Sequence, residues 1–231
     1  MIIAFICIVL IFNTMETISI HRPKIVVIGS CNTDMVVKAN RLPVPGETIL
    51  GGTFYMNPGG KGANQAIAAA RLGAEVTFIS KIGYDLFGLQ ALEIYRSEKI
   101  NTEYIFTDQK SPSGVALISV DSFGENSIIV APGASRSLSI EDINKAEEKI
   151  KEADIILMQL EIPIDTVEYA ATIACKYGKK VILNPAPASS LSNSFLMNVH
   201  TILPNRIEAE MLSGIKVMNI ESTKACKGVI Q

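Results

Sequence analysis

The sequence predicts an α/β fold: a parallel β-sheet with helices on both faces and a small separate β-sheet beside it. The first observation is that apolar, β-branched runs alternate strictly with helical patterns from residue 139 onward. Such alternation is typical of a parallel sheet that is buried on both faces. The second is that two pairs of extended segments have no helix between them, so they leave the main sheet. The third is that 48% of the 231 residues are hydrophobic, which is enough for one sizeable core.

The strands of the main sheet are predicted from short apolar runs that are bounded by turn residues. Each run is rich in valine, isoleucine or leucine and is too short for a buried helix. The runs are residues 24–29, 76–82, 154–159, 180–183 and 201–203.

Helices are predicted from apolar residues at helical spacing, as in residues 86–98, or from a glycine that follows the last turn, as at Gly73, Gly178 and Gly214. Ser139 can cap one further helix, because Glu141 and Asp142 in its first turn match the helix dipole. Another helix is predicted to begin at Ser222. The remaining predicted helices are residues 66–72, 86–98, 164–177 and 206–213.

The small separate sheet is predicted from four extended segments that form two pairs without an intervening helix. Proline and glycine separate the first pair, and a turn cluster at residues 121–125 joins the second pair into a hairpin. The segments are residues 35–38, 48–55, 115–120 and 127–131, which place the strands of this sheet within residues 33–57 and 113–132.

Charge and cysteine content exclude several classes of function. The net charge is −2 with no long basic run, which argues against nucleic acid as a partner. The four cysteines are far apart and form no C-x-x-C pair, so they predict neither a zinc site nor a disulfide framework. This cysteine usage is typical of a reducing compartment. The cysteines are Cys7, Cys31, Cys175 and Cys226.

The N-terminus is an apolar run over residues 1–12. It is too short for a membrane span, which needs about 20 such residues. No lysine or arginine precedes it, so it is also a poor signal peptide. We expect residues 1–14 to be a non-native extension or the product of an upstream start, and residues 1–23 to lie outside the fold. N-terminal sequencing of the cellular protein tests this expectation.

A glycine-rich segment at residues 57–65, with the sequence NPGGKGANQ, opens directly into a helix. Glycine lets a ligand approach the main chain, and free N–H groups at a helix start favour an anionic or hydroxyl-rich ligand. Lys61 adds a positive charge, and Asn64 adds a donor and an acceptor one turn further on. The segment is not a Walker A loop, because no serine or threonine follows Lys61.

Polar residues follow the predicted strands at the carboxyl edge of the sheet, where ligands bind in such folds. Carboxylates, amides and a lysine together suit a polyol, because each hydroxyl needs a donor and an acceptor. The residues that we expect along this edge, beside Lys61 and Asn64, are Asn32, Asp34, Glu161, Asn184, Asn205 and Glu208.

These motifs carry a resemblance to the ribokinases of the PfkB family of carbohydrate and nucleoside kinases, from residue 24 essentially to the C-terminus. The glycine segment and the Asn32-Thr33-Asp34 turn resemble ribokinases more than adenosine kinases or fructokinases. The other matching motifs are Glu161 in QLEIP, the segment NPAPA at residues 184–188, and Asn205-x-x-Glu208.

The resemblance implies phosphorylation of D-ribose to D-ribose 5-phosphate by ATP, in D-ribose catabolism. Asp34 would hold two ribose hydroxyls, and Glu161 would contact the sugar from the opposite side. Further sugar contacts would come from Asn32, the Gly60 backbone, Lys61 and Asn64.

The resemblance also implies ATP, Mg²⁺ and a monovalent cation such as K⁺ as cofactors. Asn205 would contact the ATP phosphates, and Glu208 would help to position Mg²⁺ through water. The small separate sheet would form the family's β-sheet lid, which would cover the sugar and pair two subunits into a homodimer. The implied location is the cytoplasm, with the nucleus as the alternative and no membrane partner.

The catalytic base of the resembled family, an aspartate in a Gly-Ala-Gly-Asp motif, is absent from this sequence. Gly133-Ala134-Ser135 does not supply it, because no aspartate follows. The family's later nucleotide loop, adenine-binding segment and cation loop are absent too. We therefore expect residues 24–231 to form an incomplete kinase domain that lacks the C-terminal part of the fold. Arg206 is a second departure, since the family commonly has an acidic residue there.

The sequence leaves three interpretations open. The chain is a piece of a ribokinase, or a catalytically inactive sugar-binding or dimerising module, or part of a related kinase for another sugar or nucleoside. Ribose binding without ATP turnover would favour the second reading, and nucleoside turnover by a longer form would favour the third.

Overall fold

The computed structural model describes residues 22–230 of the chain. The expectations for residues 1–14 and for Cys7 therefore lie outside the described residues. In chain order the strands are β1 (Lys24–Ile28), β2 (Asn32–Lys38), β3 (Thr53–Gly59), β4 (Glu75–Gly83), β5 (Ile105–Asp108), β6 (Gly114–Val120), β7 (Asn126–Ala131), β8 (Ile155–Met158), β9 (Lys180–Leu183) and β10 (Thr201–Ile202).

The helices flank these strands, and a 3₁₀ turn (Gly133–Ser137) follows β7. In chain order the helices are α1 (Lys61–Arg71), α2 (Leu86–Ser97), α3 (Ile140–Lys145), α4 (Glu147–Glu152), α5 (Ile164–Lys176), α6 (Asn193–Leu196), α7 (Arg206–Ser213) and α8 (Ile220–Ile230).

The main sheet has six strands in the order β10-β9-β8-β1-β4-β5. All of its pairings are parallel, and β1 lies at the centre between β4 and β8. Val26 and Ile28 pack into one hydrophobic cluster, while Val27 between them packs into a second cluster. Successive strand residues point to opposite faces, so the two clusters lie on opposite sides of the sheet. The predicted parallel sheet with helices on both faces is confirmed.

Several helix ends follow the predicted chemistry. The Ser139 hydroxyl accepts from the Asp142 N–H in a reciprocal capping box at the start of α3. Gly214 ends α7 in the left-handed conformation, and Gly73 and Gly178 also have positive φ after α1 and α5. These glycines end their helices because they accept a backbone conformation that side chains disfavour.

The second sheet contains the predicted lid strands, in the order β3-β2-β6-β7. β2 pairs with β3 antiparallel and with β6 parallel, and β7 completes an antiparallel hairpin with β6. β2 begins beside the main sheet, and β3 ends there. The lid is therefore anchored where the glycine-rich segment lies.

Several details differ from the sequence expectations. Asn32, Thr33 and Asp34 are the first residues of β2 rather than a turn, because they pair with β3 and β6. β3 extends to Gly59, and α1 begins at Lys61 instead of residue 66, so little loop remains between them. β5 was not predicted because its sequence, IFTD, is not a continuous apolar run, and α6 was not predicted because a single helical turn shows no periodicity.

Candidate functional site

The site is built where the lid joins the main sheet. β1 ends at Ile28, and after three intervening residues β2 begins at Asn32, which pairs with Gly59 at the end of β3. Gly60 then caps α1 with a φ of 89°, a conformation that favours glycine. A Cβ on Gly60 would lie 2.9 Å from the Asn32 backbone nitrogen. Glycine is therefore required both for the turn and for this close approach of two chain segments.

Lys61 and Glu161 form an ion pair at the first turn of α1. The Lys61 ammonium donates to Glu161 Oε1 at 2.6 Å, and the Lys61 backbone N–H donates to Glu161 Oε2 at 3.0 Å. The buried Ser30 hydroxyl donates to the same Oε2 at 2.5 Å. Burial favours the neutral acid, but the hydrogen bonds from Lys61 and Ser30 outweigh it and lower the pKa of Glu161. Glu161 therefore stays ionised and anchors the helix start.

Asp34 lies on β2, with its carboxylate directly over the Cα of Gly59, where any Cβ would overlap it. The side chain is half-buried. Burial raises the pKa of Asp34, and the negative charge of Glu161 raises it further, while Lys61 acts in the opposite direction. Two carboxylates and one ammonium thus share one small region, with acceptors in excess of donors. A ligand that carries several hydroxyl donors complements this charge pattern.

Asn32 has a buried polar atom that lacks a hydrogen-bond partner in the described part of the chain. Its side-chain Oδ1 is buried and has no hydrogen-bond partner among the described residues. The same oxygen lies against Gly114, where a Cβ would overlap it. An unsatisfied buried acceptor costs about 1–3 kcal/mol, so a hydroxyl donor from a ligand that reached Asn32 would recover this cost. Asn64 is exposed on the first turn of α1 and faces solvent.

Asn205 and Glu208 form a second group, at the start of α7. The Asn205 side chain accepts from the Glu208 N–H at 2.9 Å, and Glu208 accepts from the Asn205 backbone and side-chain nitrogens at 2.7 Å each. Glu208 is buried, whereas Asn205 is exposed. This reciprocal capping box satisfies the Glu208 N–H, while the positive end of the α7 dipole at the same helix start attracts anions.

The third member of that edge, Asn184, is used differently. Its side-chain amide donates to the Leu203 carbonyl at 3.1 Å and so ties the end of β9 to the end of β10. In the described contacts, Asn184 therefore has a structural role, since it links two strands at the edge of the sheet.

A cavity of about 930 Å³ lies beside this second group, along β10 and between α7 and α8. Sequence reasoning did not predict it, because its walls come from separate helices with mixed polarity. Its lining includes Thr201, Pro204, Asn205, Arg206 and Cys226. Arg206, the departure noted in the sequence, thus lies at the cavity wall next to Asn205.

Sequence reasoning missed two residues of the first group, Ser30 and Gly59. Ser30 links Glu161 to the helix start, and Gly59 provides the space for the Asp34 carboxylate. A serine directly after a buried strand and a glycine before Gly60 were the available signals, but only the fold brings them to Glu161 and Asp34.

Residues 22–230 contain no group of three or more histidine, cysteine, aspartate or glutamate side chains arranged to hold a metal ion. Within the same residues, no helix has the length and apolar character to cross a membrane.

Comparison with known proteins places these observations in a family. The model of the pfkB family of carbohydrate kinases matches residues 22–231. A ribokinase from Haemophilus influenzae is 45% identical over 201 residues, which cover 87% of this chain and 66% of that protein. A deoxyribokinase from Salmonella typhi is 39% identical, again with 87% of this chain and 66% of that protein covered. The chain thus spans about two thirds of the length of these relatives.

Solved structures give the same result. The structure of Arabidopsis thaliana ribokinase complexed with ribose and ATP has a TM-score of 0.80 and 31% identity. The match covers 91% of this chain and 69% of that one. The similarity therefore includes both the main sheet and the lid.

Proposed function

We propose that this chain, which belongs to the pfkB family of carbohydrate kinases, forms the sugar-binding part of a ribokinase. The whole protein would transfer the γ-phosphoryl group of ATP to D-ribose and release D-ribose 5-phosphate and ADP. The sugar site would consist of Asp34, Lys61 and Glu161, together with Asn32, Gly60 and Asn64.

The observation that carries the proposal is the cluster in which Lys61 pairs with Glu161 at 2.6 Å while Asp34 has a raised pKa nearby. Asp34 would accept hydrogen bonds from two ribose hydroxyls. The Lys61 ammonium has three donors, of which one is directed to Glu161, so it has donors left for sugar oxygens. The lid strand β2 carries Asp34, so closure of the lid would bring the acceptor to the sugar and exclude water from it.

ATP would bind at the other group, with Asn205 and the start of α7 near the phosphates. The described residues supply one carboxylate there, Glu208, and both of its oxygens accept from Asn205. This arrangement fits an outer contact to Mg²⁺ through water better than direct ligation, because Mg²⁺ keeps several of its waters. Bound Mg²⁺ would neutralise phosphate charge. The sequence contains no Gly-Ala-Gly-Asp, so we assign no catalytic base to residues of this chain.

The lid would also pair two subunits. The register aligns Met56, Met35, Leu117 and Ile129 in one row across the four strands. Asp34 precedes Met35 and so lies on the opposite face of the sheet. Leu117 is 54% exposed and Ile129 is 69% exposed. A second copy of the lid would cover this apolar row while Asp34 remains directed to the sugar.

The proposed location is the cytoplasm. Three described cysteines, Cys31, Cys175 and Cys226, are free thiols, as is typical of reducing compartments.

A second candidate substrate is 2-deoxyribose, because a deoxyribokinase is 39% identical to this chain. The two sugars differ by a single hydroxyl. A site built to bond that hydroxyl discriminates strongly against the sugar that lacks it, so the ratio of the two affinities distinguishes the candidates. A purely sugar-binding role without phosphoryl transfer is the remaining alternative.

The test is a calorimetric titration of the full chain with D-ribose and with 2-deoxyribose. Wild type is expected to bind ribose, and Asp34→Ala is expected to weaken binding about 100-fold, because two hydrogen bonds to a carboxylate are lost. Asp165→Asn, an exposed carboxylate on α5, is the matched control and should bind like wild type. Equal ribose affinity of wild type and Asp34→Ala would overturn the assignment of the sugar site. If a longer form of the protein formed ADP in the presence of ribose and this chain did not, the result would support the proposal that this chain binds the sugar and the whole protein transfers the phosphoryl group.

A further inference from the structure

We propose that Ser135 is a positioning residue whose hydroxyl holds the bend between β1 and β2 in the shape that the sugar site requires. The inference rests on the proposed function for its link to sugar affinity, while its structural part stands on the contacts of the bend. Ser135 belongs to the Gly133-Ala134-Ser135 segment, which the proposed sugar and ATP contacts leave without a role.

One hydroxyl satisfies both backbone groups of Cys31, in the middle of the bend. The Cys31 N–H donates to Ser135 Oγ at 3.2 Å, and Ser135 Oγ donates to the Cys31 carbonyl at 3.3 Å. Ser135 is fully buried and Cys31 is 2% exposed. The serine therefore takes the place that a neighbouring strand would occupy, in a part of the chain that belongs to neither sheet.

The bend carries the residues of the site on both sides of Cys31. Ser30 precedes it and donates to Glu161 at 2.5 Å, and Asn32 follows it and begins the strand that bears Asp34. A shift of Cys31 would consequently move the anchor of Glu161 and the start of β2 together.

The Cys31 side chain is fixed from another direction. Its thiol lies 2.9 Å from the Tyr95 hydroxyl, and Tyr95 is fully buried and packs edge-to-face on Phe78 with ring centroids 5.5 Å apart. Burial raises the pKa of the Cys31 thiol to about 11, although the Tyr95 hydrogen bond acts to lower it. The thiol is therefore neutral near pH 7, and Cys31 acts as a packed anchor.

The turn that carries Ser135 is also joined to the base of the lid. The Ala134 N–H donates to the Pro112 carbonyl at 2.8 Å. Gly133 has a φ of 51°, and a Cβ on it would lie 2.8 Å from the Gly114 nitrogen at the start of β6. Ser135 thus connects the lid base to the bend, so that two strands of the lid keep one position relative to Glu161.

The test uses the full chain with Ser135→Ala, followed by amide hydrogen exchange over residues 31–34 and by ribose titration well below the melting temperature. We expect amide exchange in the bend to become about tenfold faster, and the ribose dissociation constant to rise about tenfold. Each effect corresponds to the loss of about one net hydrogen bond.

Ser137→Ala is the matched control in the same 3₁₀ turn. Its hydroxyl lies 2.5 Å from Asp108 Oδ2 and 2.9 Å from the Ala134 carbonyl oxygen, and it is not among the described hydrogen-bond partners of Cys31. It should lower stability without changing exchange in the bend or ribose affinity. Ser135→Cys keeps a weaker donor and acceptor in place, and it should fall between wild type and Ser135→Ala in both measurements.

Unchanged exchange and affinity in Ser135→Ala would overturn the inference, as would equal effects of Ser135→Ala and Ser137→Ala. A Ser135→Cys variant as impaired as Ser135→Ala would also overturn it, because packing and not hydrogen bonding would then be the cause. If wild type fails to bind ribose, the proposed function falls, and the exchange comparison alone decides whether Ser135 holds the bend.

Discussion

Gly59 occupies a place where a single added methyl group would act directly on the Asp34 carboxylate. A Cβ at residue 59 would overlap all three atoms of that carboxyl group, whereas ordinary van der Waals contact begins near 3.4 Å. The carboxylate would have to move by about 1 Å or more. A displacement of this size can weaken an interaction that depends on exact positioning by about 100-fold. We therefore expect Gly59→Ala to raise the ribose dissociation constant about 100-fold.

The same substitution should leave the fold intact. Gly59 is a strand residue without the positive φ found at Gly60, and its nearest neighbours are atoms of a side chain that can rotate away. Alanine in a strand is favoured over glycine by about 0.5–1 kcal/mol, so the free energy of unfolding should stay level or rise slightly.

A double-mutant cycle tests whether Gly59→Ala acts through the Asp34 carboxylate. In an Asp34→Ala background the obstructed carboxylate is gone, so Gly59→Ala should have no further effect on ribose affinity. The assays are isothermal titration for affinity and urea unfolding for stability. Wild-type affinity in Gly59→Ala, or additive losses in the double variant, would refute the reasoning.

Three further predictions concern charge and the lid. Glu161→Gln should lower the free energy of unfolding at pH 7 by about 2 kcal/mol, since Glu161 accepts from Lys61 and Ser30 while 15% exposed. Because the pKa of Glu161 is lowered from 4.5, this difference should vanish as the pH falls through the lowered value, and a difference that persists in acid would contradict it. Asp34→Asn should instead raise the free energy of unfolding at pH 7 by about 0.3 kcal/mol, because the raised pKa of Asp34 means that its ionised form is unfavourable in the native state. The gain is small because solvent screens a half-exposed group. A lower free energy of unfolding for Asp34→Asn in urea would contradict this prediction. The double variant Leu117→Lys, Ile129→Lys should convert the proposed dimer into a monomer in sedimentation while it retains ribose affinity. A dimer that persists in this variant would show that the lid does not form the interface.

The main sheet was predictable because its strands are continuous apolar runs. Residues 180–183 and the helix at residues 206–213 have the predicted bounds, since turn residues and glycine mark their ends. β5, with the sequence IFTD, lacks such a signal, because a short edge strand is defined by its neighbour β4 and not by its own residues.

The residues of the candidate site could be named from the sequence, whereas their geometry could not. The motifs indicated Asp34, Lys61 and Glu161, yet the direct ion pair between Lys61 and Glu161 depends on a contact across 100 residues. The positions of Ser30 and Ser135 in the sequence do not show which distant residues their hydroxyls contact. These contacts arise from tertiary packing, which periodicity does not encode.

The most direct test of the sugar site is a crystal structure of this chain with D-ribose. Ribose is expected between β2 and the start of α1, with two hydroxyls within hydrogen-bond distance of the Asp34 carboxylate and further oxygens near the Gly60 backbone and the Lys61 ammonium. Ribose bound elsewhere, or a crystal at saturating ribose in which Asp34 and Lys61 contact no sugar, would contradict the account.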